Sequence, residues 1–203
     1  MTHRQDWDDY FFDMAKLIST RSTCLRRQYG CVLVKDKHVV SSGFNGAPRG
    51  YPHCDVLGCA REGVESGTKH ELCRAAHAEQ NAIANAARYG ISTNDSELYI
   101  YPGDMPCPIC AKILINAGVY RIHYHSTDYP GWELSEDLFL SSGISLWKHE
   151  KPKEEYQDIA KPVYDLLLNH VIPPKGKTTL LNTDLHSVSF EIQNELRKLG
   201  YHK

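Results

Sequence analysis

The sequence predicts an α/β fold in three layers, a five-strand mixed sheet with helices on both faces. Three observations predict it. From His77 to Glu150 helical and strand patterns alternate, which argues for parallel pairing through right-handed crossovers. A β-branched hairpin precedes that run. The chain has 203 residues, 41% of them apolar, enough for one substantial core and too few to favour two full domains.

Residues 5–20 place Trp7, Phe11, Met14, Leu17 and Ile18 at helical spacing and read as a helix on the core. CVLVKDKHVVSSGF, residues 31–44, is β-branched on both sides of Lys35–Lys37 and reads as a hairpin. The next thirty or so residues, FNGAPRGYPHCDVLGCAREGVESGTKHELC, are rich in Gly, Pro and Cys and show no sustained period. A loop of that length in a compact domain is unusual, and its Cys and His residues suggest that a metal holds it. AHAEQNAIANAARYG reads as a helix ending at Gly90. ELYIYPG is a strand, CPICAKILINAG a helix stopped by Gly118, VYRIHYH a strand, WELSEDLFLSSG a helix and ISLWKHE a last strand. The boundary of this 1–150 domain falls where the pattern changes. Residues 151–203 read as a helical extension, with helices over AKPVYDLLLNHVI and SFEIQNELRKLGYHK joined by PPKGKTT.

Composition excludes several functions. The net charge is −2 and no Arg/Lys stripe stands out, so no nucleic-acid partner is expected. No apolar run approaches the ~18–20 residues of a membrane span, so no membrane is expected either. The N-terminus, MTHRQDWDDYFF, is acidic and lacks the order of a signal peptide. A cytoplasmic protein is the expectation. Seven cysteines, at 24, 31, 54, 59, 73, 107 and 110, are an odd number for disulfides and in a reducing compartment read as metal ligands or buried thiols.

HAEQNA, from His77 to Ala82, and PCPIC, from Pro106 to Cys110, carry the chemistry. Each fragment starts a helix. Cysteines at i and i+3 lie on one helical face, so Cys107 and Cys110 can reach one ion. A helix N-terminus carries partial positive charge and favours the thiolate, the form that ligates zinc. One imidazole and two thiolates make a three-ligand set, which leaves a position for water, whereas structural zinc sites close with four. Zinc lowers the pKa of bound water to about 7. Glu79, two residues from the ligand, is placed to take that water's proton and pass it to a leaving amine. Taken singly, HAE is a common chance pattern, and CxxC also serves as a redox pair or half of a closed zinc knot. Together they match the zinc-deaminase signature H-x-E…P-C-x-x-C.

At these residues the chain resembles the cytidine/deoxycytidylate deaminase superfamily, over roughly residues 5–150. The resemblance implies the cytidine deaminase-like fold, a catalytic Zn²⁺ on His77, Cys107 and Cys110, and Glu79 as proton shuttle. A helix at 133–142 implies that the fifth strand runs parallel to the fourth. RSTC at 21–24, GFNGAPRG at 43–50 and HAEQNAI resemble the dCMP deaminases within the superfamily. That implies hydrolysis of dCMP to dUMP, which supplies thymidylate synthesis. Asn45 matches the asparagine that holds the nucleotide sugar, or serves as the turn residue of an Asn-Gly pair. Asn45, Ala78, Arg21 and Arg49 are the candidate substrate contacts, with Arg26, Arg27 and Arg88 as further candidates for the phosphate. The Gly-rich stretch around Pro48 matches the place where regulated members bind dCTP or dTTP with Mg²⁺. A homo-oligomer, dimer or hexamer, is implied.

Relatives of this kind also carry a second, structural Zn²⁺, and the matching positions here are Cys24, Cys54, Cys59 and Cys73. His70 is the alternate to Cys59, or a cap for the loop. The alternative is four reduced buried thiols. The insertion lies between GFNG and HAE, so it should border the substrate pocket. Cys31, on the first strand, is expected in the core. Two competing functions stay open: a nucleic-acid base-editing deaminase, which needs a basic track this chain lacks, and a catalytically silent zinc-binding module, against which Glu79 argues.

Overall fold

A computed structural model describes residues 4–150. The expected helices after Lys151 lie outside the described residues. Five strands form one mixed sheet, in the order β2-β1-β3-β4-β5. The chain runs α1 (Trp7–Ser19), β1 (Gly30–Lys35), β2 (His38–Phe44), α2 (Cys54–Leu57), α3 (Ala78–Arg88), β3 (Ser96–Tyr101), α4 (Pro108–Asn116), β4 (Val119–Tyr124), α5 (Trp132–Ser141) and β5 (Ser145–Lys148). β1 pairs antiparallel with β2 and β3, while β3, β4 and β5 are mutually parallel. The expected parallel fifth strand is therefore present. The insertion departs slightly from its expectation: it holds the short α2 and a 3₁₀ turn at His70–Leu72.

Alternation along the strands sorts side chains between two cores. Leu33, Leu98, Ile100, Ile122 and Tyr124 point to the face covered by α3, α4 and α5, joining Ala82, Leu114 and Phe139. Cys31 is fully buried among them, as expected, and burial pushes its thiol well up. Val32, Val34 and Tyr99 point the other way, onto Phe11 and Phe12 of α1. Asp6 caps α1 by accepting the Asp9 N–H at 2.9 Å.

Two glycines set how closely the helices approach. A Cβ at Gly30 would run into the α1 backbone at Ala15 and Ser19, and one at Gly43 into the α3 backbone at Ala78 and Ala82. The second contact matters for the site, because it seats the first turn of α3 directly on β2. Gly30 pairs with Phe44 on one side and Tyr101 on the other, so the start of β1 and the ends of β2 and β3 share one edge of the sheet. α4 starts beyond that edge of β3. In open α/β sheets ligands bind at the carboxyl ends of the parallel strands.

Candidate metal centre and active site

His77 is the N-cap of α3, and Cys107 is the N-cap of α4 with Pro108 at its first position. Cys110 stands one turn further on. His77 is locked in place from its own helix: its backbone N–H donates to Gln80 Oε1 at 2.8 Å. These constraints bring three ligand atoms to one point. His77 Nδ1 lies 3.5 Å from Cys107 Sγ and 3.4 Å from Cys110 Sγ. Zn–S bonds of 2.3 Å and Zn–N bonds of 2.0–2.1 Å at tetrahedral angles separate nitrogen from sulfur by about 3.6 Å. The three side chains thus already stand near the separations one zinc ion requires.

The electrostatics agree. The Cys107 thiol is drawn down to about 4, chiefly by the hydrogen bond from Cys110 and, against burial, by His77. Cys110 is pushed well up by the neighbouring Cys107 and by burial, so the pair on its own keeps one proton. A divalent cation is the partner that allows both to be thiolates. Glu79, in the first turn of α3, is buried, and burial raises its carboxyl above the ordinary range. A carboxyl that gains and loses a proton readily beside an ion is suited to shuttling.

A cavity of about 360 Å³ opens over His77, Glu79 and Cys107, a size suited to a small molecule. Asn45 and Ala78 line it. The Asn45 amide is already engaged, accepting from the Tyr29 N–H at 2.8 Å and donating to the Arg27 carbonyl at 2.9 Å. Arg21 and Arg49 are exposed and do not line the cavity. Arg21 follows α1 and Arg49 sits in the turn after Pro48, both pointing their charge at solvent. The arginines that do line it are Arg26, Arg27, Arg61 and Arg74. Sequence reasoning missed the last two, which sit inside the insertion. Arg61 is buried, donates to the carbonyls of Glu65 and Thr68, and leaves its Nε without a partner among the described residues.

Cys24, Cys54, Cys59 and Cys73 share one wall of the same cavity. Burial first, then Cys24, Cys73 and Cys59, raise the Cys54 thiol, so the four are electrostatic neighbours. They do not close to ligand distances as the His77 trio does. His70 lies elsewhere on the wall. Its Nε2 is 2.7 Å from the Tyr129 hydroxyl and its ring 5.6 Å from that of His77. Tyr129 was also missed; the available signal was TDYP, a turn at the carboxyl end of a parallel strand. Gly67 of the insertion packs against Pro130 of that turn, too closely for a Cβ.

Fold and centre together define a class: three converging His and Cys side chains that could hold a metal ion, with a buried carboxylate beside them, built on helix N-termini over a mixed sheet. Residues 5–126 match the family described as the cytidine and deoxycytidylate deaminase zinc-binding region, and the chain belongs to that family. Similar proteins include a deoxycytidylate deaminase of Schizosaccharomyces pombe, 35% identical over 152 residues, covering 74% of this chain and 46% of that one. ComE operon protein 2 of Bacillus subtilis is 32% identical, covering 70% of this chain and 71% of that one. The chain thus spans about half the length of the fission-yeast relative. Among solved structures, the dCMP deaminase of cyanophage S-TIM5 in complex with dCMP and dUMP superposes with a TM-score of 0.57 at 27% identity, covering 72% of this chain and all of that one. No described helix is long and apolar enough to cross a membrane.

Proposed function

We propose that this protein hydrolyses dCMP to dUMP and ammonia. The observation that carries the reading is the convergence of His77, Cys107 and Cys110 with Glu79 buried beside them, on a cavity of nucleotide size. Bound zinc would supply a water with a pKa of about 7. The rest falls to the chain. Glu79 takes a proton as oxygen adds at C4 of the cytosine ring. It delivers that proton to N3, then takes the second from the new C4 hydroxyl and passes it to the amino group, which leaves as ammonia as the C4 carbonyl forms. Ala78, fully buried at the first position of α3, and Asn45 wall the ring and sugar.

The phosphate is met by cavity arginines, with Arg61 and Arg74 taking the place expected of Arg21 and Arg49. A site built around a phosphate rejects the nucleoside lacking it, by as much as ~10⁴ when the donors are left unpaired. Cys24, Cys54, Cys59 and Cys73 hold a second, structural zinc that shapes the mouth of the cavity; their shared wall supports this. Two finer parts rest on sequence resemblance, a homo-oligomer and a dCTP or dTTP effector with Mg²⁺ near Pro48, and a cytoplasmic setting rests on composition.

Ultraviolet assay of dCMP, dCTP, deoxycytidine and cytidine, with zinc measured on the same sample, tests the reading. Fast turnover of dCMP and slow turnover of deoxycytidine is expected. A zinc-replete protein inert on all four would overturn it.

A further inference from the structure

On the opposite face of the sheet from the active site, a second set of ligand atoms converges. Among the described residues only two groups place three His, Cys or carboxylate ligand atoms within 4.8 Å of one another: the His77 trio, and Asp8, His123 and His149. The second group draws on three separate elements. Asp8 lies in the first turn of α1, His123 on β4, and His149 just beyond β5, where its N–H continues the ladder by donating to the Tyr124 carbonyl at 2.8 Å.

His123 is prepared for coordination. Its side chain is 1% exposed, stacked on Tyr99 at 3.9 Å between ring centroids. Its Nε2 lies 2.8 Å from Glu97 Oε2. Glu97 also accepts from the Tyr120 hydroxyl at 2.8 Å and from Arg121 at 3.0 Å, which keeps it a carboxylate. The proton of a neutral His123 is therefore on Nε2, and the Nδ1 lone pair faces His149. An imidazole whose far N–H is held by a carboxylate is the usual arrangement of a metal-ligating histidine. Asp8 is oriented too, since its Oδ1 accepts from the Tyr99 hydroxyl at 2.7 Å.

The distances leave room for a cation shared by the three side chains. Asp8 Oδ1 stands 3.9 Å from His123 Nδ1 and its Oδ2 3.9 Å from His149 Nδ1, too far for hydrogen bonds to either ring. It is near the spacing of ligands around one ion. The two rings are 2.8 Å apart at His123 Nδ1 and His149 Nε2. An imidazole gives one nitrogen to an ion, and one atom from each of the three residues lies within 4.8 Å of the others. With Nε2 as the His149 ligand, the spacing of about 3.3 Å between two nitrogens on a tetrahedral zinc requires His149 to move off His123 by roughly half an ångström. It is on the solvent side of the cluster and can do so. Two imidazoles with one carboxylate suit zinc and its first-row neighbours, and not calcium or magnesium, which take oxygen alone.

We propose that Asp8, His123 and His149 form a further divalent transition-metal site, which clasps the N-terminus of α1 to the parallel edge of the sheet. It lies away from the substrate cavity, and its role is structural. It does not depend on the thiol site or on the identity of the substrate.

Equilibrium dialysis of the full chain against buffered free zinc tests it, comparing wild type with His149→Ala and Asp8→Asn. The second variant keeps the shape of the side chain and its bond from Tyr99, so it guards against a folding failure of the first. Wild type should bind one more zinc per chain than either variant. Zinc should raise the melting temperature of wild type more than that of the variants, and dCMP turnover should persist in both. Equal zinc in all three, with equal thermal response, would overturn the proposal and leave a hydrogen-bonded cluster only.

Discussion

The two sets of cysteines face one cavity, yet they differ in how they are held. Cys107 and Cys110 stand on the first turn of α4, positioned by β3 before it and by α3 beside it, and they meet His77 at 3.5 and 3.4 Å. Cys24, Cys54, Cys59 and Cys73 come from the end of the α1 connection and from an insertion with one short helix and one 3₁₀ turn. They share a wall without closing on a point. The first set is preorganised by regular structure, so it is available for chemistry that needs ligands fixed to a fraction of an ångström. The second set lacks that support; if it holds the proposed zinc, binding of the ~10–16 kcal/mol seen in small thiolate sites would be enough to order a loop.

The sharpest way to break this comparison is at the preorganised end. His77→Ala should abolish dCMP turnover and remove one zinc per chain while leaving the far-UV circular dichroism intact, because His77 sits at a cap and not in the core. Retained activity in that variant would mean that the trio is not the reaction centre. Glu79→Gln should keep the metal and lose ~10²–10⁴ in kcat. The two variants together separate holding the ion from moving the proton, which zinc analysis and steady-state kinetics on the same preparations will read. A smaller effect is expected from Arg74→Ala: about ten- to a hundredfold in kcat/KM for dCMP, the weight of a hydrogen bond to a charged group, with little change for deoxycytidine. Equal losses on nucleotide and nucleoside would place Arg74 in the scaffold of the insertion, where it also bonds the Gly58 carbonyl at 3.1 Å.

What the sequence disclosed follows the same division. The α1 stripe, the hairpin about Asp36–Lys37 and the three strand–helix alternations after His77 are local patterns, and each became the element expected. His77, Glu79, Cys107 and Cys110 were legible because a cap and an i, i+3 pair are also local. The cavity wall was not. Arg61, Arg74 and Tyr129 reach it through the path of a long loop and its docking of Gly67 on Pro130, which no periodicity encodes. Arg21 and Arg49 looked equally suitable as charges, and only the fold shows that they face solvent. The Asp8–His123–His149 cluster was silent for another reason: its members are 115 and 26 positions apart, and they meet through the stacking of α1 on β3 and the pairing of β4 with β5.

The mildest of these tests, and the one that bears most directly on the second cysteine set, is the pair Cys54→Ser and Cys73→Ser made together. Cys54 is buried at the start of α2, and Cys73 ends the 3₁₀ turn, so the two come from opposite ends of the insertion. Serine fills nearly the same volume, so packing alone predicts a small change. If the thiolates hold zinc, the variant should lose one zinc per chain, and limited proteolysis should cut between Pro48 and Cys73 where the wild type resists. Turnover should fall by less than the Glu79→Gln loss, about tenfold, because the reacting groups stay on α3 and α4 while Arg61 and Arg74 lose their support. Unchanged zinc content with unchanged protease resistance would make the four residues buried thiols. The insertion would then owe its shape to contacts such as Arg61 with the carbonyls of Glu65 and Thr68, at 3.3 Å and 2.5 Å, and to the seating of Gly67 on Pro130.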